Sequence, residues 1–218
     1  MRRLSGPAGG PVRATLLGGS VLLAGCFTGE RPTLTPPPAT TGDTAADAVL
    51  ERLQNAGTAA FTAEYTIAAP TGANADAVVV QHGPSRRAVT IRDHRFVTDG
   101  AVSRTCHLVH ASCVEGLDLA VVSDLAVTAD FYDLSPAARL RRDVARRVGT
   151  TQGAAESIAG EAATCVTIPI AETAARYCAL DAGPLASLRT TDVTIELTAY
   201  RPDVDDTAFE TPAAEEEP

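Results

Sequence analysis

The chain has 218 residues, with 27 acidic side chains against 18 basic ones and a formal charge of −9. That balance excludes general binding to phosphate backbones, which needs clustered cations, and it offers no electrostatic attraction to anionic headgroups. The length suits one domain of ordinary size, whose core has to come from Val, Ile, Leu and Ala because only 4% of residues are aromatic and none is tryptophan.

At the N-terminus, Arg2, Arg3 and Arg13 precede an apolar run from Ala14 to Gly25. A basic start followed by a short apolar stretch is the layout of a secretory signal, and the run falls short of the ~20 apolar residues of a permanent span. Leu22-Leu23-Ala24-Gly25-Cys26 resembles the lipobox of bacterial lipoproteins. That resemblance implies cleavage before Cys26, lipid on that cysteine, and anchoring to the extracytoplasmic face of the cell membrane. Removal of residues 1–25 takes three arginines and no acid, so the charge falls from −9 to −12. Residues 26–43 are then a lipidated cysteine and a Pro/Thr-rich tether, in which Pro36-Pro37-Pro38 favours extended polyproline II. A domain over 44–211 and an acidic tail over 212–218 complete the expected organisation. All the cations are arginine, as expected of a GC-rich actinobacterial genome.

The domain opens on a helix. Thr44 and Asp47 have the spacing of a capping box, Ala46, Val49, Leu50 and Leu53 share a face, and Gly57 supplies a stop. The pattern then changes to period two: Phe61, Ala63, Tyr65 and Ile67 alternate with polar or small residues, the mark of a half-buried strand. Val78 and Val80, then Val89 and Ile91, continue the alternation on two further strands, and Asp99-Gly100 turns a hairpin between Phe96-Val97 and Ala101-Val102. Leu117, Val121 and Leu125 recur every four residues as a weak helix. Ser135-Pro136 starts a firmer one, with Ala137, Leu140, Val144 and Val148 on one side and Gly149 at its end. Strands return at Ser157-Ile158, Val166 to Ile170, Arg176 to Leu180, Leu185 to Arg189 and Val193 to Ala199. The fold class is α+β: a large curved antiparallel sheet, a half-barrel, wrapped on one to three helices. Its apolar face is expected to carry Phe61, Tyr65, Ile67, Val78, Val80, Val89, Ile91, Val166, Ile168, Val193, Ile195 and Leu197.

With Cys26 committed to lipid, Cys106, Cys113, Cys165 and Cys178 remain. Outside the cytoplasm an even number reads as disulfides, and of the three connectivities sequence proximity favours 106–113 and 165–178. Cys106-His107-x-x-His110-x-x-Cys113 has two thiols and two imidazoles within eight residues, a tempting zinc or copper set. A disulfide removes both thiolates, so a bridged hairpin is the expectation and no metal is assigned. Cys165 and Cys178 mirror each other about Ala171-Glu172, directly opposite in a hairpin and on the outer face. Arg139, Arg141, Arg142, Arg146 and Arg147 make the second helix basic; they either solvate and pair with nearby acids or lie on anionic headgroups. There is no nucleophile elbow, P-loop or dinucleotide fingerprint, so neither an enzyme nor a cofactor is expected.

Several segments together resemble LolA-like lipoproteins, in particular the actinobacterial LppX/LprG group. They are the lipobox and Thr/Pro tether, the opening helix ending near Gly57, and the strand Phe61-Thr62-Ala63-Glu64-Tyr65-Thr66. Glu156-Ser157-Ile158-Ala159-Gly160 followed by Cys165-Val166-Thr167-Ile168, the turn Asp181 to Leu185, and Asp205 to Phe209 complete the set. The resemblance implies a half-barrel whose helices leave a hydrophobic cavity for acyl chains, lined here by a subset of the apolar-face residues named above, Phe61 and Val78 excepted. It supplies no catalytic residues. The expected protein is a monomeric lipoprotein that binds or carries a lipid or other apolar ligand outside the membrane. The alternative is a sensor or protein-interaction module whose helices fill its own groove, and a metal-binding surface protein using His107 and His110 is the third class.

Overall fold

The computed structural model describes residues 40–212. Cys26, the signal segment, the tether as far as residue 39 and the tail from residue 213 lie outside the described residues.

Helix α1 spans Thr44–Asn55. Asp43, not Thr44, is its N-cap, accepting from the Ala46 amide at 3.1 Å. Asp47 reaches back to the Thr41 amide at 2.6 Å and hydroxyl at 2.7 Å. The N-cap therefore stands one residue earlier than the Thr44–Asp47 spacing suggests, and Asp47 reaches past it to Thr41 and Gly42 instead of closing a box on the N-cap amide. Ala46, Val49, Leu50 and Leu53 are the buried face, and burial of the three larger side chains contributes about 1.5–3 kcal/mol each. Instead of stopping at Gly57 the chain tightens into a 3-10 turn over Ala56–Thr58.

Strands β1 (Ala60–Ala68), β2 (Asn74–His82), β3 (Arg86–Ile91), β4 (His94–Asp99), β5 (Val102–His107) and β6 (Ser112–Glu115) follow as a meander. A 3-10 segment, Leu119–Leu125, and helix α2, Leu134–Ala145, cross to the far side. There β7 (Gln152–Ile158), β8 (Glu161–Ile170), β9 (Thr173–Leu180), β10 (Leu185–Arg189) and β11 (Thr194–Arg201) return, and β11 pairs with β1. The result is one open eleven-stranded antiparallel sheet in the order β6-β5-β4-β3-β2-β1-β11-β10-β9-β8-β7. Its two halves are consecutive meanders joined at the centre, the half-barrel expected from the strand pattern.

Asp133 caps α2 through the Leu134 amide at 2.6 Å, so Ser135 and Pro136 sit inside the first turn. The helix ends at Ala145. Val148, expected on its apolar side, lies beyond the helix and is exposed, and Gly149 turns the chain at φ +93°.

Register assigns the faces. Ala63 pairs with Val79 and Val79 with Val89, so Val79 joins the concave core. Val78 and Val80 therefore point the other way, and both are removed from the expected concave set. Val80 packs in a second, convex cluster with Ala88, Val97 and Phe209. The C-terminal 3-10 segment, Asp206–Phe209, supplies Phe209 to this cluster. The Arg86 guanidinium stacks 4.2 Å over the Phe209 ring, while Arg95 and Arg104 donate to the carbonyls of Ala208 and Phe209.

Candidate functional site

The concave face holds Tyr65 and Ile67 on β1, Val89 and Ile91 on β3, and Val166 and Ile168 on β8. Val193, just before β11, joins Ile195 and Leu197 on it. The structure brings these nine residues together, each at most 5% exposed. Three pieces of chain cover them. The α1 face lies over β7, β8 and β9. Leu140 and Val144 enter from α2, and Val122, Leu125, Val127, Phe131 and Tyr132 from the crossing segment, all in one cluster with the sheet residues. Leu117 stays partly exposed and Val121 only partly buried, because the 3-10 turn presents Val122 and Leu125 inward.

Packing at the centre is aromatic and directional. Phe131 meets Tyr65 edge-on, with ring centroids 5.1 Å apart, an arrangement worth about 0.5–1.5 kcal/mol beyond area burial. The polar ends of the rings are satisfied. The Tyr65 hydroxyl donates to the Leu185 carbonyl at 3.0 Å. The Tyr132 hydroxyl bonds Gln81 at 2.5 Å, and the Gln81 amide in turn donates to the Gly57 carbonyl at 3.1 Å. The Tyr177 hydroxyl donates to the buried Asp143 carboxylate, which also holds Arg146 at 2.7 Å. Burial raises the pKa of all three tyrosines, so each is a neutral donor.

A small pocket against Val127, Phe131, Leu188, Val193 and Ile195 has a volume of about 20 Å³, against the roughly 300–1,000 Å³ of a small-molecule site. The residues expected to line an acyl cavity here form a packed core. Ile195, paired with Ile67 on one side and Leu188 on the other, is the place to measure this. Ile195→Trp should lower stability by about 1–3 kcal/mol through overpacking, a fall in Tm on the order of 3–10 °C. An unchanged thermal unfolding curve would reveal space beyond those 20 Å³.

A polar hollow of about 220 Å³ beside α2 is lined by Arg139, Asp143, Arg146 and Thr190, among others. Its cations are matched: Arg139 pairs with Asp192 and Arg146 with Asp143, while Arg147 lies 3.9 Å from Asp43. Arg139 of α2 and the two arginines just past its end are thus each placed beside an acid.

Asp133 is a buried carboxyl displaced upward inside the fold. Burial pushes its carboxyl up to about 6 from 3.8, against the opposing pull of the Leu134 amide and Arg87. A raised folded-state pKa means that the native state keeps a proton which the unfolded chain releases. The contribution is fully present below pH 3.8 and is lost as pH rises through about 6. Asp133→Asn keeps a capping oxygen without the charge. The variant should match the wild type at pH 4 and exceed it by about 2–3 kcal/mol at pH 7.5, which denaturant unfolding at the two pH values checks.

The four described cysteines form two bridges. Cys106 is paired with Cys113 across β5–β6 and Cys165 with Cys178 across β8–β9, each with a Cα–Cα distance of 4.0 Å. Cys165 and Cys178 lie on the convex face, beside the Arg176–Glu156 ion pair. No thiolate of the Cys106–Cys113 segment is left for a metal. What the sequence pattern missed is that His94, from β4, pairs in register with His107 on β5.

No protein-family model matches the chain, and no curated protein matches it. Solved structures do. A crystal structure of MucB aligns with a TM-score of 0.51 at 13% identity, covering 80% of this chain and 65% of MucB. The chain therefore spans less than two-thirds of that structure's length. MucB in complex with MucA(peri) aligns with a TM-score of 0.46 at 15% identity, over 78% of this chain and 60% of the other. A LolA-superfamily protein of Nitrosomonas europaea aligns with a TM-score of 0.36 at 11% identity, over 76% and 97%. The first of these likenesses is one of fold.

Proposed function

We propose that this chain is a non-enzymatic protein-interaction module of the cell envelope, held at the extracytoplasmic face of the membrane by lipid on Cys26. The observation that carries this reading is the filled concave face. A half-barrel that buries its own groove under Phe131, Tyr132, Leu125 and Leu140 has its outer surface and edges left for recognition. The anchor rests on the lipobox Leu22 to Cys26.

The contact surface is the edge of β7. Its first six residues, Gln152 to Ser157, are exposed, and among the described residues it pairs only with β8. Edge strands are normally shortened or guarded by lysine or proline. This one is seven residues long, has neither, and carries a single charge, Glu156, already engaged by Arg176. An extended partner segment would add there as a twelfth strand through main-chain hydrogen bonds. MucB, whose fold the chain shares, is a protein found in complex with MucA. The finer assignment to the LppX/LprG group, with lipid carriage, rests on the sequence resemblance alone.

Two measurements separate the readings. A photo-crosslinking residue at Ala155 should give one discrete polypeptide adduct in intact envelopes, lost in an Ala154→Lys background because a lysine on a strand edge blocks further pairing. Native mass spectrometry of the detergent-extracted chain should show only the covalent lipid. A stoichiometric non-covalent acyl species, removed by Ile195→Trp, would establish the carrier instead.

A further inference from the structure

We propose that Asp93, His94 and His107 form a binding site for a late first-row divalent metal ion, Zn²⁺ or Cu²⁺, at the β3–β4 and β5–β6 turns. One ligand atom from each of the three lies within 4.8 Å of the others. The Asp93 carboxylate bridges the rings, with Oδ1 2.8 Å from His94 Nδ1 and Oδ2 3.1 Å from His107 Nε2. In a tetrahedral site with metal–ligand bonds of about 2.0–2.1 Å, neighbouring donor atoms stand roughly 3.3 Å apart. The two carboxylate–imidazole distances are shorter than this by a fraction of an ångström and the remaining separation is within 4.8 Å, so small side-chain adjustments bring the three donors to the spacing an ion requires.

The local fold explains why the donors converge. Arg92 and Asp93 make the two-residue turn between β3 and β4, with Arg92 at φ +55°. His94 starts β4 directly opposite His107 at the end of β5, and their ring centroids are 4.8 Å apart. Next to His107 the Cys106–Cys113 bridge fastens β5 to β6. The Leu108 amide donates to the Asp93 carbonyl at 2.8 Å, tying one turn to the other. The donors thus sit on a cross-linked frame, so little conformational entropy remains to be lost on binding. The disulfide that removes two thiolate ligands from the Cys-His-x-x-His-x-x-Cys segment is also what positions its first imidazole.

A fourth donor is at hand. His110 lies in the following turn with its ring 4.2 Å from that of His107. In the present arrangement the His110 amide donates to His107 Nδ1 at 3.3 Å. Metal at His107 Nε2 places the ring proton on Nδ1, releases that long hydrogen bond, and lets the exposed His110 ring turn toward the ion. A set of imidazoles with one carboxylate suits Zn²⁺, Ni²⁺ and Cu²⁺, with Cu²⁺ the tightest; it does not suit Mg²⁺ or Ca²⁺, which take all-oxygen shells. The side chains of His94 and His107 are 18% and 28% exposed, so the site is sheltered yet open to entry.

The test is titration of Zn²⁺, and separately Cu²⁺, into the tag-free full-length chain in detergent, followed by calorimetry. One equivalent should bind, with Mg²⁺ giving no heat above dilution. His94→Ala and His107→Ala should each weaken binding at least tenfold, and Asp93→Asn should weaken it to a lesser extent. His82→Ala, at the remote β2–β3 turn, should bind as the wild type does. Cu²⁺ should also selectively broaden the His94 and His107 imidazole resonances of the unmutated chain, a readout that does not depend on any variant folding. Absence of binding, equal weakening by His82→Ala, or broadening that spares these two rings would overturn the proposal.

Discussion

Replacing Gly183 by alanine should lower the unfolding free energy by about 3–5 kcal/mol, the largest stability change expected from adding one methyl group to this chain. Gly183 is buried in the turn between β9 and β10 at φ +117°, where its amide closes the turn onto the Leu180 carbonyl at 2.9 Å. A left-handed backbone alone costs a side-chain-bearing residue about 1–3 kcal/mol. Here a Cβ would in addition stand 2.8 Å from Ala56 Cα and 2.9 Å from Ala56 N. These are backbone atoms at the end of α1, at a position with no exposure, so the helix terminus would have to move. Gly160→Ala is the matched control: it too has a positive φ, +84°, but nothing lies within 4 Å of its added Cβ. That variant should lose only about 1 kcal/mol. Chemical denaturation of the pair separates the clash from the conformational cost, and equal losses would show that α1 does not press on the turn.

Cys26→Ala should either release the protein from the membrane fraction or leave it unprocessed. The lipobox residues Leu23-Ala24-Gly25-Cys26 motivate this expectation, and the charge makes the dependence steep. At −12 after removal of residues 1–25, the chain has no electrostatic attraction to anionic lipid to assist the acyl groups. Each buried methylene contributes about 0.8 kcal/mol, and one acyl chain by itself gives only marginal attachment. Fractionation and intact-mass measurement should find the variant in the soluble fraction, or still carrying its first 25 residues. A variant that stays in the membrane through detergent-sensitive attachment, with residues 1–25 removed, would contradict lipidation at Cys26.

The strands of this half-barrel were legible because side chains alternate across a strand whatever surrounds it. Phe61-Thr62-Ala63-Glu64-Tyr65-Thr66-Ile67 and Thr194-Ile195-Glu196-Leu197 state their phase in the residue order, and their apolar members all face the core. Two helices were legible for the same local reason, although the capping residues Asp43 and Asp133 lay one or two positions ahead of the expected caps. The phase of β2 could not be read. Val78-Val79-Val80 is apolar on both sides, and the inward-facing neighbour is Gln81, a polar residue whose burial makes sense only beside Tyr132, 51 positions later. The Phe209 segment closing over Val80 supplies the second, convex core.

What the sequence by itself determined, then, was most of the strands, the alternation of those with one apolar face, and the pairing by proximity of Cys106 with Cys113 and Cys165 with Cys178, since these depend on neighbours a few residues apart. Whether the concave face is a groove or a core was decided only by tertiary structure. It depends on where the crossing segment from Leu119 to Tyr132 settles, and on whether Val122, Leu125, Phe131 and Tyr132 reach strands that are distant in the chain. The same holds for Asp93 and His94, which meet His107 only because antiparallel register places a turn and two strand ends side by side. Periodicity reports which way a side chain points along its own element; volume filling and convergence of donors are properties of several elements at once, and no local pattern encodes them.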